Sequence, residues 1–449
     1  MRRRAAMAVT LLSALALTAC TVSPGGSATP DAVRPTFSAT PVPTSSFAVA
    51  GHWQATATPP LSPRYDALAI SAGDSYFILG GLDGRTNKPL LDGARYDPAK
   101  DTWTRLPAFG KNFELVTSYS SAVLVGDSLY VIGPRDRPLH GPGPDPAGGD
   151  TYSTRDFAVL DLGSGHWTHL ASPPKAGVPG RTRLVARDGT VFAFQEGDVA
   201  DGEGEGDFPG KDFAFDIATG AWTALPASPL PSGEYRRAIA MDADHVLVQN
   251  DAEMDASSTD VAILDLATRT WRIPAAFPAW TGLSGEDAVD SRPTVAAGRV
   301  VWTITMPKPG ETWEPAVLSC QFAGVAGATA DLCTEASLVA DADKLQQPAG
   351  GLAAQRSLRD DFVISHDRVA TASDVQAWYQ LYDPVAQTLR QVPDLPGVPN
   401  DEWGSPALYG SLAAGAADSV LVCFGASHDP QDGRARDWRK SCDLLRVQA

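Results

Sequence analysis

Apolar runs of four to six residues, broken by Gly, Asp or Pro, recur along the chain from about residue 48. Tyr76-Phe77-Ile78-Leu79, ending in Gly80-Gly81, is typical. Runs this short and this sharply punctuated predict strands rather than helices. Five segments share a finer pattern, in which an apolar residue precedes an Asp and a second apolar residue follows six positions on. They are Tyr96-Asp97 to Trp103, Leu160-Asp161 to Trp167, Phe215-Asp216 to Trp222, Leu264-Asp265 to Trp271, and Tyr382-Asp383 to Leu389. Proline follows each, at Pro107, Pro173, Pro226, Pro274 and Pro393. The repeating unit is therefore strand, strand, loop, a strand ending in Asp, a tight turn, and a strand carrying Trp. Asp suits the turn because its carboxylate accepts from the backbone amides just ahead. Trp suits the outermost strand because a large flat ring fills the wedge between neighbouring sheets.

This periodicity resembles the kelch repeat of β-propellers, with Gly80-Gly81, Tyr96-Asp97 and Trp103 as the closest match. The resemblance implies an all-β propeller of four-stranded antiparallel blades over residues 48–449. Trp103, Trp167, Trp222 and Trp271 are spaced by 64, 55 and 49 residues, and Leu389 lies 118 beyond, two units with one degenerate marker between. The last unit, Ser411 to Val447, has three strands; Gly51-His52-Trp53-Gln54 mirrors Gly165-His166-Trp167-Thr168 and is expected to supply its fourth. Such a closure removes the open edge and ties the two ends together. The count is then seven blades of about 57 residues, near the kelch period of about 50, whereas six would need about 67 each.

The first 47 residues read differently. Arg2, Arg3 and Arg4 precede the weakly polar to apolar run Ala8 to Ala19, too short to span a bilayer, which needs about 20 residues. Leu17-Thr18-Ala19-Cys20 resembles the bacterial lipobox, so residues 1–19 are expected to be a lipoprotein signal peptide and Cys20 to carry diacylglycerol and palmitate. In residues 21–47, fifteen of 27 are Pro, Ser or Thr, so 20–47 reads as a solvated tether. The expected address is the extracytoplasmic side of the cell membrane, held by lipid. With Cys20 lipidated, four of the five cysteines remain, and they fall in adjacent strands, giving Cys320–Cys333 and Cys423–Cys442.

Charge narrows the partners. The chain has 36 Lys+Arg against 53 Asp+Glu, a net −17, which counts against a nucleic-acid binder. The long insertions Pro134 to Arg155, Glu196 to Lys211, Asn250 to Asp260, Met306 to Pro315 and Ala426 to Ser441 all fall between second and third strands. They share one face, the usual place for binding residues on a rigid scaffold. Arginines recur where the innermost strands begin on that face: Arg64, Arg181, Arg183, Arg236, Arg237, Arg292 and Arg359. They suit planar capture of carboxylates, or they bridge neighbouring blades through carbonyls and acidic loops. Asp198, Asp201, Glu203, Glu205 and Asp207 form a glycine-rich acidic loop, read as solvated, with calcium as the alternative.

The functional expectation is a monomeric binding or scaffold module for an envelope protein or glycan, with no cofactor. Kelch propellers also include copper oxidases, which need a free cysteine that this chain does not spare, and exported isomerases of sugar acids. The second is the alternative: an enzyme with its site in the channel. No catalytic residue is assigned, since nothing local marks a general base.

Overall fold

The computed structural model describes residues 40–41, 51–109, 120–134, 155–174, 181–198, 211–230, 235–251 and 259–274, and parts of 293–337, 354–396 and 412–447. One compact unit runs from Phe37 to Ala449; the other, Met1–Thr36, lies outside the described residues, and with it Cys20 and the residues expected to form a signal peptide.

The compact unit is all-β. Its strands form antiparallel quartets in chain order, first strand to fourth, with successive residues alternating between faces. The first quartet is Leu68–Ala72, Ser75–Leu79, Gly93–Asp97 and Thr102–Leu106. The second is Ser121–Val125, Ser128–Pro134, Arg155–Asp161 and His166–Leu170. The third is Arg181–Arg187, Thr190–Asp198, Phe213–Asp216 and Ala221–Ala224. The fourth is Tyr235–Ala240, His245–Asp251, Thr259–Asp265 and Thr270–Arg272. The fifth is Thr294–Ala296, Arg299–Pro307, Trp313–Gln321 and Leu332–Ser337. The sixth is Ala354–Leu358, Phe362–Ala370, Val375–Asp383 and Thr388–Gln391. The last combines Leu412–Ala416, Ser419–Cys423 and Cys442–Val447 with Gly51–Ala55. First strands neighbour one another from quartet to quartet, and the last returns to the first.

Two features depart from expectation. Among the described residues the hydrogen-bonded sheets of four or more strands number six, not seven separate ones, because the third and fourth quartets are continuous. Thr190–Asp198 overshoots its third strand, and the backbone of Gly197 and Asp198 pairs with Arg236 and Tyr235. This extra pairing fuses the two sheets. Second, Thr40–Pro41, placed by composition in the solvated tether, pairs parallel with Leu332–Ser337 at Ala336 and Ser337. Proline has no N–H to donate, which confines it to an edge such as this.

Closure involves the N-terminal strand, as expected. Trp53 lies opposite Leu445, and Gly51–Ala55 pairs along Cys442–Val447. The Tyr76 hydroxyl in the first quartet donates to the Ser419 carbonyl of the last at 2.7 Å. Packing explains the unbroken apolar runs. In Ser75–Leu79 every residue is buried: Tyr76 and Ile78 face Leu421, Phe424 and Leu444, while Phe77 and Leu79 face Leu129, Val131 and Leu160. A second strand is thus enclosed on both faces, and each fully buried Leu, Ile or Phe contributes about 1.5–3 kcal/mol. Disulfides Cys320–Cys333 and Cys423–Cys442 join directly opposed residues of paired strands. Each loop closure contributes about 3 kcal/mol.

Candidate functional site

The repeat residues build the frame. Asp97, Asp161, Asp216 and Asp265 each end a third strand and accept from backbone amides two or three residues on. Ser164 N donates to Asp161 Oδ1 at 2.6 Å, Thr219 N to Asp216 Oδ1 at 2.7 Å, and Thr268 N to Asp265 Oδ1 at 2.8 Å. These amide bonds lead the causes that hold the three carboxyls below the usual carboxylate range. At Asp97 the Lys100 ammonium, donating at 2.7 Å, has the largest such effect.

The tryptophans do more than fill space. Each indole N–H donates to a carbonyl in the segment leaving the preceding quartet's outer strand. Trp103 reaches Ala57 O at 2.8 Å, Trp167 Pro107 O at 3.0 Å, Trp222 Ala171 O at 2.7 Å and Trp271 Pro226 O at 3.0 Å. Every such bond pins a quartet to the connection before it. Asp383 and Leu389 lie in the sixth quartet, of which only the backbone is described; Asp383 ends a third strand there and pairs with Thr388.

Connection lengths separate the two ends of the quartets. In the first four quartets the first-to-second and third-to-fourth turns take two to four residues, as at Gly73-Asp74, Gly126-Asp127 and Pro98 to Asp101. The second-to-third connections run from Pro134 to Arg155, from Asp198 to Phe213 and from Cys423 to Cys442. The last carries a small hairpin, Ser427–His428 with Ala435–Arg436, and Trp438 stacks on Tyr65 at 5.6 Å.

The arginines on that face resolve into separate cases. Arg64 is fully buried: it donates to Asp92 Oδ1 at 2.9 Å, Gly80 O at 2.9 Å and Ser62 O at 3.1 Å. Burial pushes its guanidinium below the usual arginine value, and Asp92 opposes that. Arg236 is also buried and grips Asp212 with both terminal nitrogens, at 2.8 and 2.7 Å, while donating to Gln195 O at 2.6 Å. These three bonds, two of them in a bidentate grip, take up the two terminal nitrogens of the guanidinium. Anion capture by Arg64 or Arg236 is therefore corrected to an internal role: Arg64 fixes the first quartet's approach, and Arg236 ties the fourth quartet to the third. Arg237 is buried and Arg183 exposed, whereas Arg181 pairs its backbone with Glu196 and its side chain is outside the described residues. Arg292 and Arg359 also lie outside them, as do Asp201, Glu203, Glu205 and Asp207. Asp198 ends its strand opposite Tyr235.

Sequence reasoning missed the carboxylates that engage the arginines. Their signal was present: Asp92 stands five residues before the turn aspartate Asp97, and Asp212 four before Asp216. It also missed Thr182 and Gln195, both buried on facing strands just inside this mouth.

No family model matches the chain. Over 229 residues it is 25% identical to the Kelch-like protein terF of Aspergillus terreus. That alignment takes in 46% of this chain and 44% of the relative, so the chain spans less than half of the curated relative it matches. With antiparallel quartets, aspartate turns and tryptophan pins already in place, this likeness supports a kelch-type β-propeller.

Proposed function

We propose that the chain is a protein-binding scaffold module, tethered by a lipid on Cys20 to the extracytoplasmic side of the membrane. The asymmetry of the connections carries this reading. One end of the quartets has only tight turns in the well-described quartets, and the other carries long segments raised on a rigid, cross-pinned frame. Segments of that kind are where binding residues concentrate. The similarity to a Kelch-like protein is in keeping with a protein partner.

The test replaces the second-to-third connections, one at a time, with four-residue Gly/Asn turns in the chain carrying Cys20→Ser, and measures capture of envelope proteins. One or more grafts should abolish capture of a specific protein while leaving the melting temperature unchanged. Equal capture by all grafts would refute the reading. Cys20→Ser alone should move the protein from the membrane to the soluble fraction; retention in the membrane would refute the lipid tether.

A further inference from the structure

The structure assigns a neutral amide-binding subsite to the cross-strand pair Thr182 and Gln195, at the long-connection end between the second and third quartets. This rests on the reading that this end engages a protein, and it names the group that is engaged.

The two residues lie directly opposite each other on Arg181–Arg187 and Thr190–Asp198. Two positions deeper on the same strands, Leu184 and Ala193 pack with Tyr130, Ile132 and Phe157 of the second quartet. Side chains two apart on a strand share a face, so Thr182 and Gln195 also point at the second quartet, one step nearer the mouth. Both are 4% exposed. Thr182 Oγ1 and Gln195 Oε1 nevertheless have no hydrogen-bond partner among the described residues. A buried polar atom without a partner is costly, so each one calls for an explanation in a bound water, an ion, strain or a function.

The surroundings make the pair rigid and electrically neutral. Gln195 is held through its backbone: its N–H donates to Asp212 Oδ1 at 3.1 Å and its carbonyl accepts from Arg236. Asp212 and Arg236 cancel each other's charge in a 2.7 Å ion pair. Beside the pair, the Leu184 amide is already occupied by Ser121 Oγ at 3.0 Å. What is left is the Gln195 carboxamide, an acceptor Oε1 with Nε2–H donors beside it, next to one hydroxyl. The complement is a group with an N–H and a C=O side by side, which is an amide, either of a peptide backbone or of an Asn or Gln side chain. A carboxylate could accept from Gln195 Nε2 and Thr182 Oγ1, but it would leave Oε1 without a donor and gain no free cation from Arg236.

The experiment uses the full chain with Cys20→Ser, labelled at Leu, Val and Ala methyls, and titrates it with N-methylacetamide or with potassium acetate. N-methylacetamide should shift the Leu184, Val191 and Ala193 methyls saturably, and acetate at least tenfold more weakly. The double variant Thr182→Val/Gln195→Leu should lose the response while melting higher than the parent, since it removes two unpaired buried atoms. An equal response to acetate, or a response that survives in the double variant, overturns the assignment. So does a lower melting temperature, the mark of a water-bridged structural pair. Partner capture plays no part in these readouts, so a failed capture experiment and a failed amide titration are separate results.

Discussion

Replacing Asp212 by alanine leaves the Arg236 guanidinium in place, 2% exposed, with only the Gln195 carbonyl for company. It also strips the Gln195 amide of its acceptor. Removing one member of a buried ion pair costs about 3–5 kcal/mol, most of it the penalty of an uncompensated charge. Asp212→Ala should therefore lose about 4 kcal/mol, and Asp212→Asn, which keeps an acceptor, clearly less. The decisive comparison is Asp212→Leu combined with Arg236→Met. Removing both charges should recover most of the loss, because similarly sized apolar side chains replace a buried pair at little net cost. Urea unfolding followed by tryptophan fluorescence at 25 °C reads all three against the parent. An Asp212→Ala variant within about 1 kcal/mol of the parent, or a double variant less stable than the single one, would refute the assignment of Arg236 to an internal pin.

Asp216→Asn keeps the turn acceptor but cannot titrate. The folded carboxyl lies below its unfolded value, so its stabilisation is present above that unfolded value and lost as pH falls through the folded one. The melting temperature of Asp216→Asn should therefore fall less steeply than the parent's between about pH 4 and pH 2. Trp222→Phe removes the bond to Ala171 O and should cost about 1 kcal/mol in unfolding free energy, with an unchanged circular dichroism spectrum. Gly81 has φ +85°, and an added Cβ would lie 2.6 Å from Ala67 Cβ. Gly81→Ala should therefore cost more than about 1 kcal/mol, where an ordinary glycine-to-alanine change in a compatible conformation is stabilising.

How much the sequence disclosed follows the range of each interaction. The turn aspartates were legible because their partners lie two or three residues away. The tryptophans were legible as wedge-fillers, but their carbonyl partners are 45 to 60 residues distant and leave no local trace. The cysteine pairs could be read because each joins neighbouring strands of one sheet. Arginine roles were ambiguous for a plain reason: a recurring Arg shows where a charge sits, and only the fold shows that Asp92 and Asp212 neutralise it. Fusion of the third and fourth quartets depends on the pairing of two residues, Gly197 and Asp198, at the end of one strand, which no periodicity marks.

The pairing of Gly51–Ala55 with Cys442–Val447 sets a schedule for biogenesis. The earlier strand leaves the ribosome roughly 390 residues before its partner, which at about 5–20 residues per second is a wait of about 20–80 s. Until then its backbone groups stay available to any passing polypeptide, a hazard of unpaired edges. Holding this stretch unstructured during synthesis, or shielding it with a chaperone, becomes a requirement of manufacture, and the six-residue strand Cys442–Val447 is the latch that ends the exposure.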